Sequence, residues 1–125
     1  MTTALWCVLA GGLMPYFFAA VAKVGAPIDN QLPRDSADAL NGYRRRAFAA
    51  HLNTFEAFPF FAIAVLAAQT QGGAQGMIDD LAMAWVGLRL VYFALYLGNL
   101  AALRSLAWAV GAVVAVAIFT VPVWM

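Results

Sequence analysis

Charged side chains are scarce in this sequence: they make up 10% of its 125 residues, against 65% hydrophobic ones. A water-soluble domain carries roughly a quarter charged residues and under half apolar ones. One this small cannot hide so much apolar surface within itself. A soluble globular domain is therefore excluded, and lipid is the solvent that fits. A net charge of +1 excludes a strongly basic nucleic-acid binder or a cationic surface peptide. Cysteine is nearly absent too. With Cys7 alone there is no disulfide framework, no CxxC and no thiolate metal site. Inside an apolar run it behaves as a small hydrophobe. The single histidine, His51, has no cysteine or carboxylate at ligand spacing, so no metal is expected. No basic residue precedes the first apolar run, so a cleaved leader is not expected either.

What the sequence has instead is four apolar runs, each long enough for the roughly 20 helical residues that cross a bilayer. They cover about 4–24, 46–69, 80–100 and 105–125. They predict an all-α integral membrane protein, a four-transmembrane-helix bundle formed by one domain over residues 1–125. Gly11, Gly12, Pro15 and Pro59 do not count against helices here, because neighbouring helices satisfy freed backbone groups. They mark close contacts or kinks. The one long polar segment, about 25–45, reads as an irregular loop with a short helix near Ser36–Leu40. A glycine-rich connection, TQGGAQGMID, joins the second and third runs, and a tight turn near Asn99–Arg104 joins the third and fourth. Lys23, Arg34, Arg44, Arg45 and Arg46 flank or lie in the first loop and Arg104 in the last, while the middle connection has only Asp79 and Asp80. By the positive-inside rule, the first loop faces the cytoplasm and both termini face out.

Polar residues concentrate in RRRAFAAHLNTFEAFPFF, residues 44–61, at the head of the second run. Successive helical residues lie about 100° apart, so positions seven apart nearly superimpose. Arg46, Asn53 and Glu56 therefore share one face, with Arg45 and Ala49 beside them. His51 points roughly 140° away from Arg46. The third run carries its own stripe: Trp85, Arg89, Tyr92 and Tyr96. Glu56 lies about 15 Å along the helix from Arg46, near mid-membrane. An ionised side chain there costs around 2.5–3.5 kcal/mol by insertion scales, and Arg89 is the expected partner within the chain.

Two readings of these residues stay open. In one, Glu56 and Arg89 form a structural salt bridge, Asn53 and the tyrosines make interhelical hydrogen bonds, and Arg44–Arg46 are membrane anchors. In the other, the arginines receive the carboxylates of a small anion arriving from the cytoplasm, and Glu56 receives its amino group. A zwitterionic peptide with excess negative charge suits the second reading.

RRRAFAAHLNTFEAFPFF, followed by RLVYFALY on the third helix, resembles the MAPEG family, the membrane-associated proteins in eicosanoid and glutathione metabolism. The resemblance covers the whole chain: its size, four helices, basic first loop and the R-x6-N-x2-E-x2-P spacing. The run LPRDSADALNGYRRRA resembles the bacterial branch, which implies a bacterial inner membrane. The family implies a homotrimer with glutathione bound between neighbouring subunits near the cytoplasmic side. Carried onto this chain, Arg46, Asn53 and Glu56 match the motif's arginine, asparagine and acid. Tyr92 and Tyr96 match the paired tyrosines, and Arg89 the arginine one turn earlier. His51 falls where members place a residue that reaches the neighbouring subunit's site, although a helix-packing hydrogen bond accounts for it equally. Arg104 falls near the arginine that stabilises the glutathione thiolate in active members. A cation beside a thiol lowers its pKa, and the thiolate is the nucleophile. Where active members carry a further arginine, four residues before the asparagine, this chain has Ala49.

The resemblance implies a membrane-bound glutathione transferase or peroxidase, with glutathione as thiol co-substrate, acting on lipophilic electrophiles. It also admits a non-catalytic scaffold that uses the same clefts for lipids, and Ala49 favours that alternative. A transporter or channel would need polar residues along a continuous path, and the first and fourth runs offer almost none.

Overall fold

The computed structural model describes all 125 residues. Helix α1 spans Thr3–Lys23, α2 Pro33–Asp38, α3 Gly42–Thr70, α4 Gln75–Leu97 and α5 Ala101–Trp124. Four of the five are long and apolar enough to cross a membrane. The chain is therefore all-α, a four-helix bundle of the kind that integral multi-pass proteins use, with α2 as a short turn of helix in the first loop. The helices alternate in direction, so the α1–α3 loop and the α4–α5 turn lie at one end of the bundle, the loop end. Both chain termini lie at the other. Helix α3 packs against α1, α4 and α5, which is why its polar face can serve a shared site.

The apolar runs locate the helices, while other forces decide their ends. Helix α3 begins at Gly42 rather than near residue 46, and α4 at Gln75 rather than near residue 80. Helix α5 likewise starts at Ala101, ahead of the expected 105. Polar residues continue a helix past the hydrocarbon boundary, since intrahelical bonds satisfy their backbone equally well there. Proline sets the short helix: Pro33 occupies its first position, where the missing N–H is no loss, so it starts before the expected Ser36.

Two buried layers hold the bundle. Nearer the termini, Phe61 and Trp85 stack with ring centroids 3.9 Å apart and planes 2° from parallel. Val65, Ile78, Ile118 and Val121 surround them. Nearer the loop end, Phe18 and Phe93 meet with ring centroids 3.8 Å apart, and Ala37 and Leu40 of the loop are buried beside them. Because lipid is as apolar as these side chains, close packing rather than the hydrophobic effect brings the helices together. Gly11 shows how close: a Cβ there would lie 3.1 Å from the Trp85 ring and 3.2 Å from Phe58.

Polar side chains tie the helix ends. At the terminal end, Asp79 Oδ1 accepts from Ala4 N–H and from Gln75 Nε2, both at 2.8 Å. Thr2 accepts from Leu5 N–H and donates to Gln69. Two of the orphan donors that open any helix are thus satisfied in α1. At the loop end the three consecutive arginines diverge. Arg44 donates to the Val24 and Ala22 carbonyls at the end of α1, at 2.6 and 3.3 Å. Arg45 pairs with Asp38 of the loop at 3.1 Å. Arg46 donates to the Leu97 carbonyl at the end of α4, at 3.1 Å. Each terminates or braces a different element.

Candidate functional site

A cleft opens between α3, α4 and α5, and it has two chambers. The one nearer the loop end is polar, about 380 Å³, and lined by Ala49, Asn53, Glu56, Tyr92, Tyr96 and Arg104 among others. Its size falls within the range of small-molecule sites. The deeper one, about 190 Å³, is mostly apolar: Phe60, Trp85 and Trp108 wall it, with Arg89 and Glu56 as its charged members. Asn53, Glu56 and Trp108 line both chambers, so the two are continuous.

Helical spacing places the α3 and α4 members. Asn53 and Glu56 are three apart, and Tyr92 and Tyr96 four apart, so each pair shares a face. Arg104 sits on the next helix, and the turn between α4 and α5 brings it back onto Tyr96. That turn follows a Schellman pattern. Leu100 N–H bonds to the Leu95 carbonyl at 3.0 Å, and Asn99 N–H to the Tyr96 carbonyl at 3.1 Å. Asn99 takes the left-handed conformation, φ 58°, which asparagine tolerates better than other residues with a Cβ. Replacing Asn99 with valine should cost about 1–2 kcal/mol, the left-handed penalty, read as a lower midpoint of unfolding in mixed detergent. Glycine there should be neutral or better.

The tyrosines and arginines form a ladder through the cleft. The Arg104 guanidinium lies 4.4 Å from the Tyr96 ring centroid. Tyr96 meets Tyr92 edge to face at 5.6 Å, and the Arg89 guanidinium lies 4.2 Å from the Tyr92 ring. Such cation–π contacts hold a guanidinium in place without neutralising it. Neither arginine has a carboxylate partner, for the only ion pair in the chain is Arg45–Asp38.

The expected Glu56–Arg89 salt bridge is therefore corrected. Arg89, only 3% exposed, donates its Nη2 to Asn53 Oδ1 at 2.9 Å and to Thr54 Oγ1 at 2.7 Å. Its Nε is buried without a partner. Glu56 is exposed at the cleft and makes no ion pair. The reason is local: Asn53 and Thr54 present fixed, uncharged acceptors within reach of the guanidinium, while Glu56 projects into the open cleft.

Of the eight residues singled out in the sequence, six line the cleft: Asn53, Glu56, Tyr92, Tyr96 and Arg104 in the polar chamber, Arg89 in the deeper one. Arg46 does not; its Nη2 is engaged at Leu97 and its Nε is buried without a partner. His51 lies on the other side of α3, with Nδ1 2.8 Å from the Pro15 carbonyl of α1. A carbonyl only accepts, so Nδ1 carries the proton. The angular separation of His51 from the polar face is thus observed, and within one chain it makes a helix-packing bond. Sequence reasoning missed Trp108 and Thr54. Trp108 follows Arg104 by four residues and could have been found by that spacing. Thr54 gives no signal, because a threonine in an apolar helix usually bonds back to its own turn; this one does so, to Ala50 at 2.8 Å.

A four-helix membrane bundle with an arginine–tyrosine cleft between its second, third and fourth spans defines the class. The MAPEG family model matches residues 3–124, and the chain belongs to that family. No curated protein and no solved structure matches it.

Proposed function

We propose that the protein is a glutathione-dependent transferase of the membrane, conjugating lipophilic electrophiles through a thiolate held by Arg104. One observation carries this: a cation and a carboxylate, Arg104 and Glu56, face the same chamber and neither is paired within the chain. Left so in a bilayer, both charges are costly; a ligand that carries a thiolate and an ammonium group relieves both. Glutathione has that chemistry. Glu56 takes its ammonium group, while Asn53, Tyr92 and Tyr96 offer hydrogen bonds along the peptide. Arg46 lies outside the chamber's lining, towards the loop end, and its one hydrogen bond, through Nη2, leaves Nη1 for a carboxylate. The thiolate attacks the electrophilic carbon, a sulfur–carbon bond forms, and the leaving group departs with its electron pair. The deeper chamber supplies the apolar side for the electrophile, which arrives from lipid.

The same reading makes the assembly a homotrimer in a bacterial inner membrane, with the loop end cytoplasmic as the basic residues indicate. Glu56 is exposed on the single chain, and a neighbouring subunit would close the cleft over it. His51, directed towards α1, would then serve the neighbour's site. A second reading, a lipid-binding scaffold, is favoured by Ala49, whose methyl replaces a cation in the polar chamber's wall. Calorimetric titration of reduced glutathione into the detergent-purified protein separates the two. Under the transferase reading binding appears below millimolar concentration, and Glu56→Gln weakens it about tenfold or more, as loss of a charged hydrogen bond requires. No heat at millimolar glutathione, with retention of fatty acids, would leave the scaffold.

A further inference from the structure

Arg89 is 3% exposed and has no carboxylate partner. An uncompensated cation inside a bilayer is costly, and a neutral donor would tie α4 to α3 as well. What the charge does is set by the atoms it meets. A guanidinium only donates, and Nη2 donates to Asn53 Oδ1 at 2.9 Å and to Thr54 Oγ1 at 2.7 Å. The Tyr92 ring, its centroid 4.2 Å away, holds the guanidinium from another side.

These contacts fix the sense of the Asn53 amide. An asparagine amide presents an acceptor at one corner and two donors at the other. With Oδ1 turned to Arg89, Nδ2 is the corner left for the cleft. A flipped amide would set its N–H groups against a buried cation, so the orientation is held. Asn53 is half-buried and lines the polar chamber. It therefore meets a ligand as a donor only.

Which acceptor would it take? Glu56 lies three residues on, on the same face, and takes the ammonium group of the bound peptide. In glutathione that ammonium shares a carbon with the γ-glutamyl α-carboxylate, so the acceptor beside Glu56 is this carboxylate. It needs positive charge, and the other arginines are committed. Arg104 holds the thiolate, and Arg46, outside the chamber's lining, is left for the peptide's other carboxylate. Arg89 remains, and it stands directly behind Asn53. Hydrogen bonds in a chain polarise one another in a low-dielectric interior. The guanidinium draws on Oδ1, and the amide N–H groups become stronger donors to the carboxylate.

We propose that Arg89 is a positioning residue that acts on the bound thiol peptide through Asn53, holding that amide as the donor for the α-carboxylate beside the ammonium group. The inference rests on the transferase reading above and deepens it. One end of the peptide is recognised by a neutral amide with a buried cation behind it, and Arg89 itself does not touch the peptide.

The test titrates two peptides calorimetrically into the detergent-purified protein. One is glutathione; the other, 4-aminobutyryl-cysteinyl-glycine, keeps the ammonium and the thiol but lacks the α-carboxylate. Wild-type protein should bind glutathione about tenfold or more tightly than the analogue, the scale of one charge-assisted hydrogen bond. Asn53→Ala should remove most of that preference. Arg89→Met, which has no donor to hold the amide, should remove it too, and Arg89→Lys should keep part of it. Glu56→Gln should weaken both peptides alike and leave the preference standing. An arginine that only ties helices would affect both peptides equally, so an unchanged preference in Arg89→Met overturns the proposal. Should that variant fail to fold, Arg89→Lys decides, and a preference as large as the wild type's overturns it. Equal binding of the two peptides by wild-type protein also overturns it and leaves the transferase reading standing. Binding of neither removes both.

Discussion

Arg104→Leu should cut conjugation by about 100- to 1,000-fold, the range found when one preorganised donor to a reacting anion is removed. The expectation follows from position. Arg104 stands over Tyr96 at 4.4 Å, unpaired, in the wall of the polar chamber. Nothing else in that chamber is cationic, so the leucine variant has no substitute for stabilising a thiolate. The ultraviolet thiolate absorbance that appears on adding glutathione should vanish with the activity. Binding of the peptide should weaken much less, because Glu56, Asn53 and the tyrosines remain. Arg104→Lys should retain part of the thiolate band, since a point charge survives while the planar stack on Tyr96 is lost. Equal turnover by the leucine variant and the wild type would refute the assignment.

The second large effect concerns stability. Thr54 is fully buried and accepts from Arg89 at 2.7 Å. Thr54→Val preserves shape but leaves a buried guanidinium with one acceptor fewer. The penalty for such a group is about 1–3 kcal/mol, and bilayer measurements place ordinary interhelical bonds near 0.6 kcal/mol. A loss above about 1 kcal/mol in mixed-detergent unfolding would therefore mark the Arg89 network as more than ordinary helix glue. Thr54→Ser, which keeps the hydroxyl, should lose less. If valine proves no worse than serine, Asn53 alone satisfies Arg89.

The four spans could be read directly from the sequence, because a bilayer demands a run of fixed length whatever the partner helices are. Their ends could not, because caps decide them: Asp79, which the sequence placed only in a connection, accepts from Ala4 N–H at the start of α1. All eight site residues came from helical periodicity and family resemblance, and the cleft gathers six of them. Periodicity gives the angle of a side chain around its own helix. It does not give the height at which a facing helix passes, and there Arg89 and Arg46 departed from expectation. Arg89 found Asn53 and Thr54 at its own level instead of Glu56. Arg46 shares a face with Asn53 but sits about 10 Å along the axis, beside the Leu97 carbonyl, which the turn after α4 leaves without a backbone donor and which accepts from its Nη2.

The turn of Gly98, Asn99 and Leu100 carries a consequence for how this chain can change in length. Tyr96 and Arg104 meet across it, and its two backbone bonds leave no slack. One residue inserted or deleted there would rotate α5 by about 100° relative to α4 and carry Arg104 out of the cleft. The segment from Val24 to Asn41 is held instead by side chains that grip backbone carbonyls or a surface acid, and by Ala37 and Leu40 buried beside Phe18 and Phe93. It could lengthen or shorten between those grips without turning any cleft residue. Insertions that leave the cleft intact therefore belong in the first loop and not in the last.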